Sequence, residues 1–169
     1  MSRLRVLQFG AALACLSASA VAGAQDPEPI DRFLGTWDGR GELFGTEAAF
    51  IMNWERVLEG RFVRLMFSNS MQGEQGVQPV LSAHAYYRQT GCDSYEADWY
   101  DTRGVRQPVV AMFENGTLTA NWGTSDTEMG RTVYRLTGDN DMEVVDYVMR
   151  DGQYQIFGRA RYARTDGSK

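Results

Sequence analysis

The sequence predicts an all-β domain, an antiparallel up-and-down β-barrel of about ten strands preceded by one short helix. Three observations predict it: apolar and polar residues alternate in short runs, Gly, Asn and Asp separate these runs, and helical periodicity is nearly absent. A sheet of ten strands joined by short turns favours closure, because closure removes its exposed edges. A two-sheet sandwich is the alternative architecture.

Residues 1–24 have the pattern of a secretory signal peptide. Arg3 and Arg5 give a positive start, an apolar stretch follows, and Ala22-Gly23-Ala24 fits the small-residue cleavage site. An uncleaved membrane anchor is the alternative, but the apolar stretch is short and interrupted, below the ~20 residues that a membrane span needs. We therefore expect cleavage after Ala24, no membrane span, a periplasmic or secreted location, and a barrel domain over residues 25–169.

The composition excludes several classes of protein. The chain has 169 residues, a formal net charge of −5, two cysteines and one histidine, and 43% of its residues are hydrophobic. These values are typical of a globular domain. Loss of Arg3 and Arg5 with the signal peptide moves the charge to −7, so no nucleic-acid partner is expected. Loss of Cys15 leaves Cys92 without an internal disulfide partner, while the oligomeric state stays open.

The elements follow from local signals along the chain. A short helix is expected within residues 26–34, where prolines lie near the start and Gly35 follows the end. Asn115-Gly116 is the clearest hairpin turn, because both residues tolerate positive φ. Residues 69–79, polar and containing glycine, are expected to be the longest loop. The predicted strands are 37–44, 48–57, 62–68, 80–88, 95–101, 105–113, 117–122, 131–136, 142–149 and 154–164.

Alternation also predicts which side chains point into the barrel, since successive residues of a strand face opposite sides. The inward set is aromatic and rich in methionine. Such an interior either holds a small apolar or aromatic ligand or is filled by these side chains alone, and both outcomes stay open. The candidate ligand-binding residues are Phe50, Met52, Trp54, Phe67, Tyr87, Trp99 and Trp122.

The sequence contains no recognisable catalytic constellation, paired metal ligands or phosphate-binding loop, so no catalytic residue, metal or cofactor is predicted. An alternative hypothesis is an enzyme that uses His84, Tyr86 or Asp101 for proton transfer in the barrel cavity. His84 alternates with Ala83 and Ala85, and these small apolar neighbours favour a surface position for the histidine. A third hypothesis is an envelope protein that binds a partner through its rim without a ligand.

Four ordered motifs resemble a bacterial family of unknown function with lipocalin-like barrels. The first, Leu-x-Gly-x-Trp after a short helix, is similar to the opening signature of the calycin superfamily, which includes lipocalins and fatty-acid-binding proteins. The others are Trp-x-x-x-Leu-x-Gly-Arg-Phe, Trp-x-Asp and a closing Tyr-x-Arg. In this chain they fall on Leu34, Gly35 and Trp37, then on Trp54, Leu58, Gly60, Arg61 and Phe62, then on Trp99 and Asp101, and finally on Tyr162 and Arg164.

The resemblance implies a structural role for Gly35 and Trp37. In calycins the motif tryptophan packs at the closed end of the barrel under an arginine of the last strand. Here that arginine would be Arg164, or else Arg161 or Arg159. Haem binding is not implied, because the haem-binding relatives use a histidine near the chain end and this chain has none there. The Arg-x-Tyr order by which fatty-acid-binding proteins hold a carboxylate is not reproduced in the last strand either.

Overall fold

The computed structural model describes residues 28–74 and 76–165, which form a closed barrel of ten antiparallel strands after one short 3-10 helix. Consecutive strands pair with one another, and the last strand pairs with the first. The elements are η1 (Pro29–Phe33), β1 (Gly35–Leu43), β2 (Thr46–Val57), β3 (Phe62–Gly73), β4 (Gly76–Gln89), β5 (Ser94–Asp101), β6 (Arg106–Glu114), β7 (Thr117–Trp122), β8 (Gly130–Leu136), β9 (Asp141–Arg150) and β10 (Gln153–Thr165).

Closure of the barrel confirms the predicted fold class and excludes the sandwich. β1 lies between β2 and β10, so that Trp37 is opposite Met52 on one side and Arg164 on the other. Each of the ten predicted strands is present, and β3 and β4 are longer than predicted. The predicted signal peptide, residues 1–24, lies outside the described residues.

Two local predictions differ from the structure. The described part of the predicted helix is a single 3-10 turn of five residues, in which Glu28 and Asp31 cap each other's backbone. The predicted loop over residues 69–79 is wrong, because β3 and β4 continue through it as a hairpin that pairs Gly73 with Gly76. The Asn69 side chain also accepts a hydrogen bond from the Leu81 backbone N–H at 2.9 Å, next to a β-bulge. Pairing in the ladder satisfies backbone groups that a loop would leave to water.

The hairpin turns divide the barrel into two ends. Because antiparallel neighbours reverse direction, the turns that follow β1, β3, β5, β7 and β9 lie together, and the remaining turns lie at the opposite end. Asn115 and Gly116, with φ of 49° and 78°, form the predicted tight turn at this second end. Here Arg56 of β2 bonds to Asp31 of η1 at 2.8 Å. We call the end that holds η1 the closed end and the other the open end.

The hydrophobic core occupies the closed half of the barrel. Burial follows the predicted alternation: on β2, Phe50, Met52 and Trp54 are buried, whereas Ile51 between them is 51% exposed. Large buried side chains from η1 and the surrounding strands fill the closed half. They are Ile30, Phe33, Trp37, Trp54, Tyr95 and Leu118.

Candidate ligand-binding site

The helix η1 plugs one end of the barrel. Ile30 and Phe33 are 0% exposed, and the Ile30 backbone N–H donates to the Tyr95 hydroxyl at 3.3 Å. At the rim, Arg56 forms ion pairs with Asp31 at 2.8 Å and with Glu28 at 3.3 Å. Burial inside and ion pairing outside therefore hold the plug, so the interior is reached from the open end.

Trp37 and Arg164 meet at the closed end. The guanidinium carbon of Arg164 lies 4.1 Å from the centre of the Trp37 ring, a cation–π contact. The same guanidinium donates to the backbone carbonyls of Leu34 and, at 2.9 Å, of Arg32. The Trp37 indole N–H donates to the Phe33 carbonyl at 2.7 Å. The arginine thus ties the last strand to both η1 and β1.

Gly35 makes room for this contact. Its φ is +117°, and a Cβ at this position would lie 2.9 Å from Nη1 of Arg164. Arg161, one of the two other arginines proposed for this contact, has a side chain that is 87% exposed, and Arg159 is exposed too. Gly35, Trp37 and Arg164 belong to the closed end and do not line the cavity described next.

The open half of the barrel encloses a cavity of about 250 Å³. Each of the ten strands contributes at least one side chain to its wall, and most of these side chains are apolar or aromatic. A preformed apolar cavity lined by strands of a barrel is a common setting for a small-molecule site. Six of the seven candidate ligand-binding residues line it: Phe50, Met52, Phe67, Tyr87, Trp99 and Trp122.

Trp54, the seventh candidate, lies deeper in the barrel and does not line the cavity. It is 1% exposed, and its ring centre is 5.4 Å from that of Tyr87 and 5.5 Å from those of Phe33 and Tyr134. Its indole N–H has no hydrogen-bond partner among the described residues. Trp54 therefore belongs to the packed layer between the plug and the cavity.

Asp146 of β9 brings a carboxyl group into the cavity wall. This side chain is half-buried and lines the cavity. Thr132 of β8 donates its hydroxyl to Oδ1 at 2.7 Å. Burial raises the pKa of Asp146 to about 6, and the bond from Thr132 opposes this shift. The group is thus ionised at neutral pH and protonated in mild acid.

Two buried amides also lie in the wall. Asn69 of β3 is 7% exposed and uses its side-chain oxygen to accept from Leu81. Gln107 of β6 is 5% exposed, and its side-chain oxygen has no hydrogen-bond partner among the described residues. An unpaired buried acceptor is costly, and this oxygen lies beside Gly123.

Charged residues at the open end form ion pairs. Arg103 pairs with Asp101 at 2.7 Å, and Glu128 pairs with Arg150 at 2.6 Å. Trp99 also donates its indole N–H to Asp101 at 3.0 Å. Burial opposes the ionisation of Asp101, but the hydrogen bonds from Arg103 and Trp99 outweigh it and hold its pKa below the usual value. Arg103 and Glu128 line the cavity with their charges already neutralised.

Sequence reasoning missed Asp146 and Gln107. A signal for the first was present, because Asp146 continues the alternation of Met142, Val144 and Val148, which are buried. An acidic residue at an inward position of a strand is unusual and indicates a functional group. Gln107 carries no comparable signal, since it adjoins a turn and a proline.

The residues of the proton-transfer hypothesis do not meet in the cavity. His84 is exposed on the outer face of β4, and Tyr86 shares that face with its ring centre 6.4 Å away. Asp101 is bound to Arg103 and Trp99 at the rim. Cys92 is exposed in the turn between β4 and β5. These positions give His84 and Tyr86 no access to a molecule inside the barrel.

Within residues 28–74 and 76–165, no cluster of three or more His, Cys, Asp or Glu side chains is placed to hold a metal ion. In the same part of the chain, no helix is long and apolar enough to cross a membrane.

Comparison with known proteins supports the fold. No family model matches the chain, and no curated protein matches its sequence. Rv2717c from M. tuberculosis has a similar structure, with a TM-score of 0.62, 15% identity, and coverage of 81% of this chain and 95% of that chain. The S-type phycobiliprotein lyase CPES from Guillardia theta is also similar, with a TM-score of 0.53, 12% identity, and coverage of 83% and 92%. Both are ten-stranded antiparallel barrels, and the likeness shows that this chain shares their fold.

Proposed function

We propose that this protein binds one small apolar or aromatic molecule inside its barrel. The observation that carries the proposal is the cavity of about 250 Å³, closed by η1 at one end and surrounded by aromatic side chains. A dry cavity of about 150 Å³ is large enough to bind benzene. The space in this barrel therefore suits a molecule of roughly one to two aromatic rings.

The distribution of side-chain sizes supports a built cavity over a packing defect. The closed half is filled by tryptophan, phenylalanine and tyrosine, whereas Ala120, Val109 and Val144 face the open half. Interiors normally pack to the density of organic crystals, and voids larger than water are few. Small residues at these three wall positions keep the space free in a chain that fills the rest of its core with large side chains.

One of the two similar solved structures is named an S-type phycobiliprotein lyase. At 12% identity the likeness shows the fold alone and does not transfer a substrate to this chain.

Export is part of the proposal and rests on the sequence of residues 1–24. A small-molecule carrier outside the cytoplasm would take up its ligand from the envelope or the medium. The rim hypothesis, in which a partner protein binds without a ligand, is the alternative.

The test uses two adjacent valines of β6 that face opposite sides. Val109 lines the cavity, whereas Val110 is 62% exposed on the outer surface. Val109→Phe should reduce binding of an aromatic probe such as 1-naphthylmethanol by about tenfold or more, because the new ring takes up ligand space, a loss equal to about 1.4 kcal/mol. Val110→Phe is the matched control and should bind like wild type.

Quenching of Trp99 and Trp122, which line the cavity, reports the binding. Native mass spectrometry of protein purified from its own host should show a co-purifying small mass that is absent from Val109→Phe. Equal probe affinity in the two variants, or a wild-type protein that binds neither probe nor host molecule, would contradict the proposal.

A further inference from the structure

We infer that the cavity selects ligands that carry a positively charged, hydrogen-bond-donating nitrogen, such as a primary amine, and that Asp146 is the residue that recognises it. This inference rests on the proposed function and specifies the chemistry of the ligand.

Asp146 is held in place from both neighbouring strands. Thr132 on β8 lies opposite it and donates to Oδ1 at 2.7 Å. Gly158 on β10 lies opposite it on the other side, at a β-bulge, and a Cβ there would come within 3.0 Å of Oδ2. The glycine therefore leaves room for the carboxylate, and Oδ2 accepts no hydrogen bond from the described residues.

Asp146 is the charged wall residue that lacks an ion-pair partner in the described structure. The cavity wall carries three charged side chains, and the other two, Arg103 and Glu128, are paired with Asp101 and Arg150. No Arg, Lys or His of the described chain lies within ion-pair distance of Asp146. A carboxylate in an apolar enclosure is costly unless it is paired. A cationic ligand supplies the missing partner.

Oδ2 of Asp146 accepts no hydrogen bond from the described residues, so it favours a ligand with N–H donors. The aromatic wall adds a further preference, because the faces of Trp, Tyr and Phe rings attract cations. An anionic ligand finds no free cation in the wall, since Arg103 is bound to Asp101.

The titration of Asp146 allows a test that needs no substitution. Burial raises its pKa to about 6, so the carboxylate becomes neutral in mild acid. The titratable groups that face it are Tyr134 on β8 and Tyr162 on β10, and burial raises the pKa of both, which keeps them neutral throughout this range. Glu128 at the mouth is held by Arg150. A primary amine stays protonated between pH 5 and 7.5.

The experiment compares three probes with one ring system: 1-naphthylmethylamine, 1-naphthylmethanol and 1-naphthoate. Tryptophan fluorescence and calorimetry measure their affinities for wild type, Asp146→Asn and the exposed-loop control Asp126→Asn. Wild type should bind the amine about ten to a hundredfold more tightly than the alcohol, and the carboxylate most weakly. Asp146→Asn should remove the preference for the amine and keep the affinity for the alcohol, and Asp126→Asn should behave as wild type.

Each experimental outcome leads to a different conclusion. Equal affinity of wild type for the three probes, or an amine preference that persists in Asp146→Asn, overturns the inference and leaves the proposed function standing. Failure of all three probes to bind wild type overturns both. If Asp146→Asn does not fold, the wild-type preference for amine over alcohol is measured at pH 7.5 and 5. It should fall several-fold in acid, and a constant preference overturns the inference.

Discussion

The ionised carboxylate of Asp146 destabilises the folded barrel. Burial raises its pKa from 3.8 to about 6, which means that the folded state holds the proton more tightly than the unfolded chain does. Between these values the folded protein therefore loses stability as pH rises. A carboxylate that destabilises the ligand-free protein is more readily explained by binding than by folding, because functional sites are where such costs are retained.

We expect Asp146→Asn to stabilise the protein at pH 7 by about 2 kcal/mol and to flatten the pH dependence of unfolding between pH 4 and 6. Amide and carboxylate have nearly the same shape, so the bond from the Thr132 hydroxyl can be retained. Urea unfolding at several pH values measures both effects. Asp126→Asn, in an exposed loop, should leave the profile unchanged. A variant with the wild-type profile would show that Asp146 is not the titrating group.

Arg164 has the opposite role, because all its contacts stabilise the fold. Arg164→Ala removes the contact with Trp37 and the hydrogen bonds to Leu34 and Arg32, and should lower the free energy of unfolding by about 2–3 kcal/mol. Arg161→Ala, at a side chain that is 87% exposed, should change it by less than about 0.5 kcal/mol. Thermal unfolding of both variants tests this, and equal melting temperatures would contradict it.

At the scale of elements, η1 and the hairpin between β1 and β2 illustrate the two ends of the barrel. η1 inserts Phe33 among Trp54, Phe113 and Tyr134, with ring centres 5.5–6.3 Å apart. The hairpin places Phe44 at the open end, 72% exposed, and stacks it on Phe157 at 5.3 Å. The same residue type thus packs the core at one end and borders the cavity mouth at the other.

We expect Phe33→Ala to cost about 3–4 kcal/mol, because it leaves a cavity in the packed closed half. Phe44→Ala should cost less than about 1 kcal/mol, since most of this side chain is in water before the substitution. Denaturant unfolding of the two variants compares them directly. Similar losses at both positions would contradict the division of the barrel into a packed end and an open end.

The sequence predicts elements well where the signal is local. Asn115-Gly116 forms the expected turn, and the alternation of Phe50, Met52 and Trp54 gives the face that these residues present. Prediction from the sequence fails where the same residues are compatible with two structures. The segment 69–79 is polar enough for a loop, but its two halves pair with each other, Ser70 opposite Pro79 and Gly73 opposite Gly76, and polar composition alone does not distinguish such a hairpin from a loop.

At the scale of the whole molecule, pairing between β1 and β10 closes the sheet into a barrel that encloses a cavity. This pairing joins residues more than a hundred positions apart, such as Trp37 and Arg164. It positions the last strand against η1, where Arg164 donates to the Arg32 carbonyl. The site is therefore a product of closure, since no single hairpin contains it.

At the same scale, we propose that a signal peptide is cleaved from the chain. We expect the exported protein to begin at Gln25, after cleavage behind Ala24, because small residues at 22 and 24 suit signal peptidase. Intact-mass spectrometry of protein from the natural host measures this. Ala24→Leu should retain residues 1–24, since a bulky residue does not fit the cleavage pattern. A wild-type mass that includes these residues would contradict the prediction.

The sequence by itself determined the number of strands, most of their ends, and the faces on which their side chains lie, because these depend on a period of two residues and on turn chemistry. Only the tertiary structure decided how deep in the barrel each inward side chain lies. Trp54 and Phe67 are both inward, but the first packs beneath the cavity and the second lines it. Only closure of the barrel selected Arg164 for Trp37. The depth of a side chain in the barrel and its contacts across the barrel depend on strands that are distant in sequence. Alternation within one strand does not predict these contacts.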